Sequence, residues 1–353
     1  MSEIPPPLNS TGSSSTSWQE RVDLLRQKAN IKALPMVLGT GFSLLLLWLA
    51  FRDVPFSQIM DALGQVDWRF VILALGLVLA GTLARAARWK LLYHPETDIS
   101  FVKLTRALFV GQMLNIVVPA RIGEVARIYF VDQMETRRWA RTLGTIAVEK
   151  LLDILALLAL IFLVPVSVSL PAWFQDARAS FVVLALVFFG MALILFYSKE
   201  RLLAWLGSTL RFLPENWRAR LREAIDLSLK SLDALRSPWV GLQVQGWSFL
   251  IWGMGVLVNY IVFLALGLYL PFSAALFLLI VLQVGIAVPS VPGKLGVFQY
   301  LCILALAPFG VDKSMALTYS VLLYLIGFGP LLVLGAFFIW WESIRKRRIK
   351  PTG

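Results

Sequence analysis

Asn115-Ile-Val-Val-Pro119-Ala-Arg121-Ile-Gly123-Glu124-Val-Ala-Arg127 interrupts an apolar run that extends from residue 104 to 131. Proline and glycine in mid-run break a helix. The charges that follow are costly at membrane depth unless they are paired, wetted or in use. Non-helical backbone inside a bilayer survives only where protein or a water-filled cavity covers its polar groups. The stretch therefore reads as two half-helices folded into a hairpin, an apolar arm over 104–120 and a charged return arm to 131. Residues 272–288 repeat the pattern. They run into Pro289-Ser-Val-Pro292-Gly293-Lys294 and resume, past Gly296, as an apolar arm to about Pro308.

Six other segments are long and apolar enough to cross a ~30 Å hydrocarbon core. They are 34–51, 68–92, 143–170, 179–197, 244–270 and 314–341. The chain is 58% hydrophobic and only 15% charged, where soluble domains carry about 25% charged residues. The predicted fold is an all-α polytopic membrane protein with about six spanning helices plus two re-entrant hairpins. Residues 34–344 form one membrane domain. Residues 1–33 precede it as a tail that is Pro- and Ser-rich to residue 17, unlike a signal peptide. Ser17-Trp-Gln-Glu20 then forms a capping box for a short amphipathic helix. Residues 345–353 form a basic cytoplasmic tail.

A formal net charge of +12 raises the possibility of nucleic-acid binding, and the placement of the charges argues against it. If each hairpin returns to the side it entered from, 25 of the 33 Lys and Arg residues share one side. They occupy the N-terminal tail, 85–106, 132–142, 199–242 and the C-terminal tail, against Arg52, Arg69, Arg178 and Lys313 opposite. This bias places both termini in the cytoplasm. It also lets basic loops meet anionic head groups. Arg85 and Arg88 read as snorkelling anchors at a span end. The 199–242 connector carries Trp217, Leu221, Ile225, Leu229 and Leu232 on one helical face. That face either lies on the cytoplasmic leaflet or packs against the protein's own rim.

The two hairpins resemble each other. Val118-Pro119-Ala-Arg121-Ile-Gly123 aligns with Val288-Pro289-Ser-Val-Pro292-Gly293, with Ile116 matching Ile286 and Val125 matching Leu295 at the same offset. The first hairpin enters from the cytoplasm and the second from outside, so segments 68–197 and 243–341 read as an inverted repeat. Paired interrupted segments of this kind point to a transporter's central site.

The candidate pathway residues are Asn115, Arg121, Glu124, Arg127, Glu149, Lys150, Asp153 and Lys294. Glu124 and Arg127 are three apart on one arm and can pair locally, and Glu149 and Asp153 share a face at a spacing of four. The half-helix N-terminus near Arg121 favours a phosphate or carboxylate. The same charges can instead form an ion-pair network that only locks the hairpin. One histidine, His94, and one cysteine, Cys302, cannot build a metal centre or an internal disulfide, so no metal and no cofactor is expected. Without a nucleophile-plus-base motif or a nucleotide loop, no enzyme activity is expected either.

At three motifs the chain resembles the flippase-like membrane family that includes the transmembrane region of lysylphosphatidylglycerol synthases. These are Asn115-x3-Pro119-x-Arg121-x-Gly123-Glu124-x2-Arg127, Glu149-Lys150-x2-Asp153 and Pro289-x2-Pro292-Gly293-x2-Gly296-Val297-Phe298. The resemblance runs from about residue 31 to 344. It implies translocation of lipids, in a bacterial or archaeal plasma membrane, with substrates that differ between relatives. Lys294 departs from the glycine expected at its position. The full synthases add a soluble aminoacyl-transferase domain that does not follow here, so a synthase activity is not implied. The resulting expectation is a flippase or transporter for an anionic or amphiphilic lipid. The alternative is an accessory membrane subunit that scaffolds a lipid- or glycan-modifying enzyme.

Overall fold

The computed structural model describes residues 40–52, 54–95, 99–118, 122–132, 139–163, 215–285 and 292–349, with six isolated positions between 180 and 190. The N-terminal tail and its amphipathic helix, nearly all of the predicted 179–197 span, and the hairpin-tip residues Pro119, Arg121 and Pro289 lie outside the described residues. All regular structure among the described residues is helical.

The helices are α1 (Thr40–Phe51), α2 (Phe56–Gly64), α3 (Trp68–Leu91), α4 (Phe101–Val117), α5 (Gly123–Asp132), α6 (Trp139–Leu163), α7 (Glu215–Leu229), α8 (Pro238–Ala265), α9 (Phe272–Gly285), α10 (Val297–Leu306) and α11 (Lys313–Ile349). Helices α3, α8 and α11 are long and apolar enough to cross a membrane. The 25 residues of α6 are long enough as well, with Glu149, Lys150 and Asp153 set in its first half. The first predicted span differs. Helix α1 turns by 73° into α2, a short helix opened by Pro55 and hidden from a span-length search by its size. The last span also runs further than expected. Helix α11 continues to Ile349, into the predicted basic tail, because Lys and Arg are good helix formers and no Gly or Pro interrupts 341–349.

Capping chemistry sets several ends. The Asp67 carboxylate accepts the Arg69 amide at 2.9 Å to open α3, and Pro238 opens α8 after Ser237, a position where its missing N–H costs nothing. The start of α3 and the end of α8 are tied by the Asp67 amide donating to the Ala265 carbonyl at 3.0 Å. Lys313 Nζ donates to the Arg52 backbone carbonyl, so the start of α11 lies beside the end of α1.

Each predicted hairpin region holds two helices that pack on each other. Helix α5 folds back on α4, and α10 folds back on α9. The first fold-back is close enough that a methyl on Gly123 would collide with the Gly111 carbonyl and the Asn115 side chain. In the second, a 3-10 turn at Pro292–Lys294 holds Gly293 at φ 75° and is followed by Gly296 at φ 83°. Gly296 also lies against the Ser43 carbonyl of α1, where a side chain would not fit. This Pro292–Lys294 turn packs on α4, so the second hairpin reaches the first.

Helix α9 has nine consecutive buried residues, Ala274 to Leu282. A helix apolar on every face is buried on every face, and α9 sits inside the protein rather than against lipid. Large apolar side chains such as Ile72, Leu242 and Val333 instead face outward. Exposed Trp239, Trp340 and Trp341 lie at one end of the bundle and Trp68 and Tyr269 at the other, the arrangement of two interfacial aromatic belts. The connector helix α7 packs on α6. Ser228 Oγ donates to the Ala140 carbonyl at 2.7 Å and Leu232 is buried. The end of the connector, residues 228–232, therefore packs against the protein.

Candidate functional site

Two groups of polar side chains occupy the interior, and they are built differently. The first is an ion-pair network joining α3, α5, α6 and α8. Arg88 Nη1 donates to Asp153 Oδ1 at 2.7 Å and to Ser248 Oγ at 3.0 Å, and its Nη2 lies 3.5 Å from Glu149 Oε1. Arg127 Nη2 donates to the other Glu149 oxygen at 2.5 Å, and its Nη1 to Glu124 Oε2 at 3.3 Å. Glu124 Oε1 meets Lys150 Nζ at 3.1 Å and accepts from Asn115 Nδ2 at 3.4 Å. The Asn115 oxygen takes the first amide of α5, Gly123 N–H, at 2.8 Å. Arg127 also stacks over the Trp89 ring, with 4.0 Å from Cζ to the centroid.

Three cations thus meet three carboxylates. Arg88, Arg127 and Glu149 at the centre are 0%, 3% and 2% exposed, while Lys150 at the outer end is half exposed. Burying such charges is tolerable only when each is paired and hydrogen-bonded. Glu149 sits between two guanidiniums and bridges the first hairpin to α3. Six of the predicted site residues, Asn115, Glu124, Arg127, Glu149, Lys150 and Asp153, are brought together here. Arg88 corrects the snorkelling reading. Its head does not reach toward water but turns inward to Asp153. The available signal was its setting in Ala84-Arg-Ala86-Ala87, small residues that let neighbouring helices approach.

The second group lines a cavity of about 260 Å³. Its walls come from α3, α4, α8, α9, α11 and the second hairpin, and its polar lining is Thr82, Arg85, Gln112, Asn259, Gln283 and Lys294, with apolar side chains between. The α3 part, Leu77 to Arg85, lies about 14–26 Å along a helix of ~36 Å, well inside the membrane zone. Lys294 stands at φ 58°, a left-handed conformation at the position where the motif led us to expect glycine. Its Nζ lies 6.0 Å over the Phe328 ring. The Gly293 carbonyl accepts from Tyr324 Oη at 2.8 Å. Lys294 thus lines this cavity, whereas the carboxylates of the network pair with Arg88, Arg127 and Lys150. Arg85 and Gln112, which sequence reasoning did not select, join it on the cavity wall. Arg85 too is no anchor, since it lines this interior space. Moving it and Arg88 into the membrane zone leaves 23 basic residues against four, and the charge bias stands. A wider groove of about 710 Å³ opens between the C-terminal end of α3 and the N-terminal half of α8, with Lys90, His94 and Trp247 on its walls.

Spanning helices, two interrupted helix pairs and an interior polar cavity define a polytopic helical membrane protein with broken helices at its centre. The chain belongs to the family of the lysylphosphatidylglycerol synthase TM region, whose family model matches residues 36–335. A UPF0104 membrane protein of Pyrococcus horikoshii is 25% identical, with 87% of this chain and 96% of the relative covered. A UPF0104 membrane protein of Methanothermobacter thermautotrophicus is 26% identical over 79% of this chain and 87% of its own length. The glycosyltransferase AglD of Haloferax volcanii is 24% identical over 81% of this chain, which spans 51% of that protein. No solved structure matches the chain.

Proposed function

We propose that this chain is a lipid transporter that passes the head group of an anionic or amphiphilic lipid through a polar seam between two re-entrant hairpins, while the acyl chains stay in the bilayer. The observation that carries this reading is the 260 Å³ cavity, whose polar wall takes Gln112 from the first hairpin and Lys294 from the second. In this reading the hairpins enter from opposite faces as an inverted repeat. The groove beside Lys90 and Trp247 gives lipid a lateral approach, and the ion-pair network holds the first hairpin in place. Both termini and the α7 connector face the cytoplasm of a bacterial or archaeal cell. The chain is not itself an enzyme in this scheme.

Translocation of labelled lipids in proteoliposomes tests the reading. Vesicles containing the protein should lose outer-leaflet asymmetry faster than protein-free vesicles, and equal rates would remove it. Orientation is tested on a Cys302→Ser background. A cysteine replacing the exposed Tyr269 should react with a membrane-impermeant maleimide in intact cells, and one replacing Glu223 only after permeabilisation. The opposite pattern would invert the topology.

A second reading is favoured by the match to half of AglD. A chain of this kind can also serve as the membrane partner of a lipid- or glycan-modifying enzyme. Tight co-purification with such an enzyme, combined with inactivity in the vesicle assay, would support it.

A further inference from the structure

We infer that the cavity selects head groups of net negative charge, with Arg85 as the anion-binding residue, and turns away the cationic lysyl lipid for which the family is named. This inference rests on the transport reading and specifies its substrate class.

The cavity wall carries two cations, Arg85 and Lys294, and among the described residues no Asp or Glu. Arg85 is half-buried on α3 and has no ion-pair partner among the described residues. Gln112 adds a buried Nε2 that no acceptor meets. A half-buried guanidinium and an unmet amide donor make a wall with more donors than acceptors. A phosphate supplies several acceptor oxygens, and a guanidinium can engage two of them at once. An ammonium in the same space would lie beside Arg85 in a medium that screens charge poorly.

The carboxylates needed to receive an ammonium are already engaged. Glu124, Glu149 and Asp153 pair with Lys150, Arg127 and Arg88 in the neighbouring network. Freeing one would leave a buried cation without its partner. The cavity is also smaller than the ~300–1,000 Å³ of sites that enclose drug-sized ligands. It has room for a phosphorylated head group and not for acyl chains, which fits a site that handles only the polar end of a lipid.

The test uses the full chain in phosphatidylcholine vesicles with trace fluorescent phosphatidylglycerol, lysylphosphatidylglycerol or phosphatidylcholine, read by dithionite quenching. Binding of the same probes in detergent is read by native mass spectrometry. Phosphatidylglycerol should move and bind at least ~10-fold better than lysylphosphatidylglycerol. Arg85→Gln should remove most of that preference, Arg85→Lys should retain much of it, and Arg85→Glu should shift it toward the lysyl lipid. Equal handling of all three probes by the wild type, or an unchanged preference in a folded Arg85→Gln protein, overturns the selectivity and leaves transport standing. No movement of any probe above protein-free vesicles overturns both. If Arg85→Gln does not fold, the wild-type probe ranking and Arg85→Lys decide the matter.

Discussion

Arg85 and Arg88 stand one turn apart on α3, yet one lines a cavity without an ion-pair partner among the described residues and the other is fully buried between two carboxylates. The two regions they belong to contrast in the same way. In the network every charge has an opposite charge within 2.5–3.5 Å, and the helices are close enough that Gly123 and Gly111 have no room for a methyl. In the cavity the cations outnumber the carboxylates. There Gly81 has nothing nearer than Met254 Sδ at 4.0 Å from an added Cβ. A matched network gains its stability inside the protein. Arg85, with no ion-pair partner among the described residues, forgoes that gain and keeps its binding capacity for something that enters.

The largest expected effect tests this division directly. Glu149→Gln strips two buried guanidiniums of their shared carboxylate and should cost about 3–5 kcal/mol. In detergent this should appear as a large fall in melting temperature or a loss of folded protein. Arg85→Gln should leave the melting temperature close to wild type. Similar losses in both would erase the distinction between lock and pathway. A smaller loss in the double variant Arg127→Met with Glu149→Met than in either single variant would sharpen it, since removing one charge of each sign leaves Arg88 with Asp153 and Glu124 with Lys150.

Glycine substitutions come next. Gly123→Ala forces the hairpin arms apart and should cost ~1–3 kcal/mol as overpacking. Gly81→Ala meets open space and should gain up to ~1 kcal/mol through helix propensity. It should also slow lipid movement by narrowing the cavity. A stable Gly123→Ala protein would show that the hairpin is looser than its contacts indicate.

The smallest effect concerns Lys294. Lys294→Gly relieves a left-handed residue and should raise stability by at most ~1 kcal/mol, while weakening handling of anionic lipid. A destabilised variant would show that the side chain's own contacts outweigh the backbone strain, and would move Lys294 toward the structural class.

The hairpins were legible because proline and glycine in an apolar run admit few readings, and the Glu124–Arg127 pair because a three-residue spacing on a helix places side chains together. The partners of Glu149 and Asp153 were only half legible. Spacing put both carboxylates on one face but carried no information about which helix lies opposite. The structure supplies Arg127 and Arg88 as those partners. Apart from Lys294, the polar residues of the cavity escaped. Thr82, Gln112 and Gln283 are ordinary polar residues in sequence, and only their convergence from different helices gives them a common surface.

The sequence by itself determined that the chain is helical, lives in a membrane, carries a strong one-sided charge bias and breaks two helices at defined motifs. Each of these follows from composition, run length or backbone chemistry, which are local properties. Tertiary structure alone decided that α9 is interior, that Arg88 is matched and that Arg85 faces a cavity. The reason is physical. Lipid tails and protein interiors are equally apolar, so a spanning helix shows little periodicity to mark which face turns inward. The rotation of α3 against α6 and α8 is settled by packing between residues far apart in the chain.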